Sequence, residues 1–277
     1  MSVSTLEEHI FTGLYSLARK SGLLNLRAGQ ALFSNTYFLY KRLIEDPFDA
    51  LTRRHPELIC EGNVLDIGAN IGYTAAVFAR AIRAPYLVYA FEPEDFNFRL
   101  LQRFAKSRKA LGRIVPVKAA AGNQDGLVDL WRNESHHADH RIVTKHFLES
   151  GAGGAPVSVP MVRIDTFAEQ IEENFPVCFI KIDVQGYELP VCMGMELTLD
   201  RNPGAALALE YTPEGMRALG FEPEELLAWF AKRNYHAYSM ENDGSLEAAN
   251  YDRLNTAPYA NLLFTRSAPA GAAERRT

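Results

Sequence analysis

Cysteine is scarce in this chain. The three present, Cys60, Cys178 and Cys192, are too few and too scattered for a disulfide framework or a zinc knuckle. No stretch approaches the ~20 consecutive apolar residues that span a bilayer, and Met1 to Thr5 lack a basic region followed by an apolar run. Neither sign of charge dominates: 29 Lys and Arg stand against 34 Asp and Glu, a net charge of -5, which argues against a broad nucleic-acid-binding surface. The basic stretch from Arg99 to Arg113 reads as a solvated helix face. These absences predict a soluble protein of the reducing cytoplasm, without membrane or nucleic-acid partners. The ordinary proportions of 47% hydrophobic and 23% charged residues fit one globular domain of 277 residues with an appendage.

What is present is concentrated in Val64 to Thr74. Val64 to Ile67 is a short apolar run, Gly68 and Gly72 allow close backbone approach, and Thr74 to Ala81 opens a helix whose amide end points back at the turn. The spacing is not the G-x-G-x-x-G of dinucleotide sites, because Asn70 stands where the second glycine would admit a pyrophosphate. An adenosine ligand carrying an amino acid in place of phosphates fits better: Asp66 to Gly72 can offer a partner for its ammonium and backbone donors for its carboxylate. S-adenosylmethionine meets that description. A second strand, Tyr86 to Phe91, ends in Glu92 and Pro93, and a carboxylate at its tip can accept both ribose hydroxyls. The plainer role for Glu92 is an N-cap for the helix that follows, around Asp95 to Ala105.

With these residues in view, the motifs DIGANIGYT (66–74), AFEPE (90–94), VKAAAGNQDG (117–126), VRIDTF (162–167) and IKIDVQGYE (180–188) resemble the FkbM branch of class I S-adenosylmethionine-dependent methyltransferases. The likeness runs from about Glu61 to Arg266. It implies an α/β, Rossmann-like fold: a mostly parallel seven-stranded sheet, helices on both faces and an N-terminal helical cap. It also implies O-methyl transfer to a hydroxyl of a small molecule or sugar. Gln185 departs from the family, which more often has Glu there. The cofactor-binding set becomes Asp66, Gly68, Ala69, Asn70, Gly72, Tyr73, Thr74, Glu92, Pro93 and Asp183, with Ala120, Ala121 and Asn123 beside the adenine by resemblance. The remaining classes are a methyltransferase acting on RNA or protein, and a non-catalytic module that binds an adenosine ligand.

The domains expected are a helical cap over residues 1–56, the cofactor-binding domain over 57–266 and a disordered tail over 267–277. Within the cap, Leu6, Ile10, Leu14 and Leu17 recur at helical spacing, and Ala28 to Ile44 carries Phe33, Tyr37, Phe38, Tyr40 and Leu43. Those aromatics suit packing on the sheet or on a second subunit, and less readily a substrate cover; a homo-oligomer through these helices is one expectation. Ile114 to Ala121 reads as a third strand, Gly122 to Gly126 as a turn with Asp125 building it, and Arg132 to Pro156 as a mobile loop. Val157 to Ile164 reads as extended, with Asp165 capping a helix through Glu173. Val177 to Ile182 is apolar enough for a strand buried on both faces. Lys181 inside it needs a partner, for which Glu188 and Glu210 are in range of the sequence.

Carboxylates at the ends of parallel strands converge, so Asp66, Glu92, Asp183 and Glu210 should meet at one edge. For removal of the acceptor's proton, His136 or His137 in the loop suits neutral pH better than Asp183. A metal is not favoured; a minority arrangement has Asp183 and Glu210 holding a divalent cation that lowers the hydroxyl pKa.

Overall fold

The computed structural model describes residues 26–41, 47–59, 61–107, 110–132, 140–149, 155–254 and 257–272. The periodic leucines before Leu26, Leu43, Cys60, the pair His136 and His137, and residues 273–277 lie outside the described residues. The described residues open with α1 (Arg27–Tyr40) and α2 (Phe48–Arg54), then alternate: β1 (Asn63–Ile67), α3 (Tyr73–Ala81), β2 (Val88–Phe91), α4 (Asp95–Ala105), β3 (Ile114–Val117). A middle section follows with β4 (Ala120–Ala121), β5 (Gly126–Trp131), β6 (Arg141–Ile142), α5 (Lys145–Glu149), β7 (Val157–Val162) and α6 (Ile164–Ile171). The chain then returns to β8 (Val177–Ile182), α7 (Glu188–Met193), α8 (Glu196–Arg201), β9 (Ala206–Tyr211), α9 (Pro213–Ala218) and α10 (Pro223–Ala231). It closes with β10 (His236–Met240), β11 (Leu246–Ala248), α11 (Tyr251–Leu254) and β12 (Ala260–Thr265).

The main sheet has eight strands in the order β11-β10-β12-β9-β8-β1-β2-β3, one more than expected because β11 pairs onto β10. From β9 to β3 all neighbours are parallel, whereas β12 runs antiparallel to both β9 and β10. Alternation along the central strands splits the core in two. Leu65, Ile67, Ile180 and Ile182 pack on one face with α7, α8 and α10; Val64 and Phe179 pack on the other with α3. Each fully buried Leu, Ile or Phe contributes about 1.5–3 kcal/mol, so these strands anchor the domain. Phe33 and Tyr37 of α1 belong to the second core cluster, and Phe38 meets Tyr73 and Phe104 edge-on. The cap's described aromatics therefore pack on the domain itself.

Four expectations change. The third strand breaks after Val117, and Ala120–Ala121 joins a separate four-stranded sheet, order β4-β7-β5-β6, by pairing with Met161 and Val162. The Arg132 to Pro156 stretch is not wholly irregular: β6 pairs with β5 and α5 is helical, because Ile142 and Phe147 reach the core. Within the expected tail, Pro269 is buried and Ala272 packs against the second cluster. Asp165 is not the N-cap of its own helix. It sits one residue inside α6, buried, and its Oδ1 accepts from Thr198 N and Thr198 Oγ1, both at 2.8 Å, while Arg163 Nη2 lies 2.9 Å from Oδ2. It thus caps α8 from across the interface. Asp125, as expected at the turn, also ties it down, accepting from Arg163 N and Thr166 Oγ1 at 2.8 Å each.

Replacing Asp165 by Ala leaves the buried Thr198 donors unmatched and should lower stability by about 2–3 kcal/mol. Urea midpoints would show it, with Asp165→Asn, which keeps one acceptor oxygen, falling between.

Candidate cofactor and catalytic site

Three strand ends are tied together at the turn after β1. Gly68 N and Ala69 N donate to Phe91 O at 3.1 and 2.9 Å, and Asp183 N donates to Ile67 O at 3.0 Å. Gly68 has φ +77, and a Cβ there would stand 1.9 Å from the Asp183 carbonyl oxygen, so any larger residue would push β1 and β8 apart. Asn70, at φ 51, continues the left-handed path, and Gly72 at φ 95 starts α3.

Lys181 lies beneath this turn. Its side chain is buried; Nζ donates to Gly68 O at 2.9 Å and stands 3.4 Å from both Asp66 Oδ1 and Asp183 Oδ2. Its partners are therefore Asp66 and Asp183, not the Glu188 or Glu210 expected, because the parallel register sets Lys181 opposite Asp66 on the adjacent strand. Burial alone would lower the lysine's pKa, but the Asp183 and Asp66 charges overrule it and hold it above the ordinary value. Asp66 has no exposed surface; Thr74 Oγ1 donates to its Oδ2 at 2.7 Å, and burial keeps its pKa raised. In this conformation Asp66 and Thr74 act on the turn from inside.

Glu92 reaches back from the end of β2 to the same turn. Its Oε2 accepts from Asn70 N and its Oε1 from Glu94 N, both at 2.9 Å. The cap of α4 is Glu94, which accepts from Phe96 N and Asn97 N, so Glu92 does not serve that helix. Burial pushes the Glu92 carboxyl up to about 8. A cavity of about 90 Å³ opens beside Pro93, walled by Lys118, Arg132 and residues of β7. Ala120 and Ala121 are buried nearby in sequence, while Asn123 is exposed and gives only its carbonyl, to Arg163 Nη1 at 2.9 Å.

At the ends of β8 and β9 stand Asp183 and Glu210, with Gln185 between them: its Nε2 donates to Asp183 Oδ1 at 2.9 Å and to Glu210 Oε2 at 3.1 Å. Gln185 is held at φ 56 by Glu188, whose Oε1 accepts from Val184 N and Gly186 N at 3.2 Å each. The two strand-end acids titrate apart. Against burial, the Lys181 and Lys41 charges pull Asp183 below its ordinary value, whereas burial and the Asp183 charge push Glu210 up to about 8. Among the described residues no group of three or more His, Cys, Asp or Glu could hold a metal ion. Sequence reasoning missed the Gln185 bridge and the lysine's partners; the departure at Gln185 and an amine inside an apolar strand were the signals.

A parallel run β3-β2-β1-β8-β9 extended by one reversed strand, β12, and then by β10, which again runs with the central strands, with a glycine turn after β1 and an acid after β2, is the class I methyltransferase architecture. The model of the methyltransferase FkbM domain matches residues 66–237, more than half of the chain. The chain belongs to the FkbM family of class I S-adenosylmethionine-dependent methyltransferases.

Among solved structures, it is similar to an FkbM methyltransferase of Methylobacillus flagellatus KT, at 18% identity and TM-score 0.47 over 82% of this chain; it spans 50% of that protein's length. It is also similar to the O-methyltransferase TomG of Streptomyces achromogenes, at 11% identity and TM-score 0.45, covering 78% of this chain and 77% of that one. A methyltransferase of Aquifex aeolicus matches at 16% identity and TM-score 0.43, covering 81% and 90%. No curated protein matches.

Lys181→Met would strand Asp66 and Asp183 without their shared cation and should cost about 3 kcal/mol or more, measured by chemical denaturation. Glu188, pushed by burial from 4.5 to about 7, gives a signed pH effect. The folded state holds its proton more tightly than the unfolded chain, so this group's contribution to stability is present below about pH 4.5 and is lost as pH rises through about 7. Glu188→Gln keeps the acceptor oxygen and removes the titration. Between pH 5 and pH 8.5, as compared by urea midpoints, the variant should lose on the order of 2 kcal/mol less stability than the parent.

Proposed function

We propose that this chain transfers a methyl group from S-adenosylmethionine to a hydroxyl of a small molecule or sugar. The observation that carries the reading is the link from Glu92 to Asn70 N, which brings the acid of β2 onto the glycine turn of β1. The carboxyl group held there can exchange hydrogen bonds with two ribose hydroxyls, and the turn beside it has a buried Asn70 Oδ1 with no hydrogen-bond partner among the described residues. That orphaned acceptor suits an ammonium, and the residues present fit the cofactor. Asp66, Gly68, Ala69, Gly72, Tyr73 and Thr74 shape and support the turn, and Pro93, Ala120, Ala121 and Asn123 are assigned to the adenosine side.

Bound there, S-adenosylmethionine supplies a methyl group already activated on a sulfonium, so the protein's task is positioning and exclusion of water. Asp183, partly exposed at the end of β8 and kept charged by Lys181, accepts a hydrogen bond from the incoming hydroxyl. His136 or His137 is assigned as the imidazole base that takes the proton. The lesser alternative places a divalent cation on Asp183 and Glu210, at the position where Gln185 Nε2 donates to both.

Calorimetric titration with S-adenosylmethionine tests the reading. Glu92→Ala should bind about ten- to a hundredfold more weakly than the parent, as loss of two hydrogen bonds implies, with Glu92→Gln intermediate and both folded by circular dichroism. Parent-like affinity in both variants would overturn the assignment. Incubation with hydroxylated acceptors and mass spectrometry then separates transfer from binding alone. Turnover undiminished in EDTA would remove the metal alternative, and loss restored by magnesium would displace the histidines.

A further inference from the structure

S-adenosylmethionine carries a carboxylate at its amino-acid end, and the floor of the crevice is poorly suited to one. Asp66, Glu92, Asp183 and Glu210 are all acids, and the lysine among them, Lys181, is already engaged by Gly68 O at 2.9 Å and by two of those acids. A ligand carboxylate placed there would face the charged Asp183 and the acceptor oxygens of the other acids, with the nearby Lys181 ammonium already shared between Asp66 and Asp183. The complement has to come from above the turn.

Helix α1 lies there. It crosses from α4, where Arg103 Nη1 donates to Gln30 Oε1, to the glycine turn, where Phe38 packs edge-on against Tyr73 with ring centroids 5.5 Å apart. Tyr37 and Lys41 are four residues apart at its C-terminal end and share one face. Tyr37 is buried, and its hydroxyl lies 3.5 Å from Asn70 Nδ2 in the middle of the turn. Lys41 Nζ lies 5.9 Å from the centre of the Tyr37 ring. Its charge reaches the strand ends: it helps pull Asp183 down and opposes the upward shift of Glu210. A hydroxyl and an ammonium therefore stand over the segment whose Asn70 Oδ1 is buried without a hydrogen-bond partner among the described residues.

We infer that Tyr37 and Lys41 form the carboxylate clamp of the cofactor site. The α1 side chains take the amino-acid carboxylate while Asn70 Oδ1, beside them on the turn, takes the ammonium. A zwitterionic end needs donors and acceptors a few ångströms apart, and this corner provides both, from elements remote in sequence. The inference rests on the S-adenosylmethionine reading above.

Two probes that differ only in the carboxylate test it: S-adenosylmethionine and its decarboxylated form, titrated calorimetrically into the full chain. The parent should prefer the carboxylated probe. Lys41→Ala should weaken S-adenosylmethionine binding about ten- to a hundredfold, the range of one charge-assisted hydrogen bond, and leave the decarboxylated probe unchanged or tighter. Lys41→Arg should restore most of the preference, and Tyr37→Phe should remove a smaller part. If Lys41→Ala weakens both probes equally, the residue only supports the fold and the clamp is overturned; if it weakens neither, Lys41 serves something else and the clamp is likewise overturned. A parent that binds neither probe overturns the cofactor reading itself, a result distinct from a parent that binds both with no carboxylate preference, which removes only the clamp.

Discussion

One buried lysine organises the reactive edge of this protein. Lys181 cannot leave the apolar strand that carries it, so its ammonium must find negative partners within the core, and it finds them on both sides: Asp66 on β1, Asp183 at the end of β8, and the Gly68 carbonyl between. Taking three ionic groups out of water is expensive and stabilises little on balance against an apolar substitute. What it does is set geometry. The glycine turn rests on this group, and the close approach of Gly68 to the Asp183 backbone is possible because Gly68 carries no Cβ.

The same edge concentrates carboxylates whose fates differ. Asp183, beside Lys181 and partly exposed, stays charged; Glu92 and Glu188 are buried and Glu210 half-buried, with too little positive charge, and they hold protons up to about 8, about 7 and about 8 respectively. A neutral amide, Gln185, stands between two of these acids and donates to each. A carboxylate at that position would add a third acid to the cluster. Gln185 keeps the pair together as hydrogen-bond acceptors, and its left-handed backbone is secured by Glu188 through two amide bonds. The site is thus a set of acids whose charges are assigned by burial and by one lysine, which is how neighbouring carboxylates come to play unlike roles.

The helix over this edge couples the amino-terminal part of the chain to the domain. Phe33 and Tyr37 are part of the same core cluster as Val64 and Phe179, so α1 is continuous with the packing of the central sheet and presents its polar end to the turn. Its contacts run to Asn70, Tyr73 and Phe104, each within one step of the crevice.

Local chemistry made much of this legible. Val64 to Thr74 announces strand, turn and helix because glycine conformations and apolar periodicity are properties of neighbouring residues; Glu92 before Pro93, and the apolar run Val177 to Ile182, are equally local. The family likeness was carried by those same motifs. Pairings between distant segments were not legible. That Lys181 faces Asp66 depends on parallel register, that Ala120 leaves the third strand for a second sheet depends on β7, and that Asp165 caps a helix other than its own depends on how α6 meets α8. The sequence by itself determined which segments are strands and helices and where the backbone can turn sharply, since those follow from residues a few positions apart. Only the tertiary structure decided which charges neutralise one another and which acids keep their protons, because Coulomb energy and desolvation are set by distance and burial in space, not by separation along the chain.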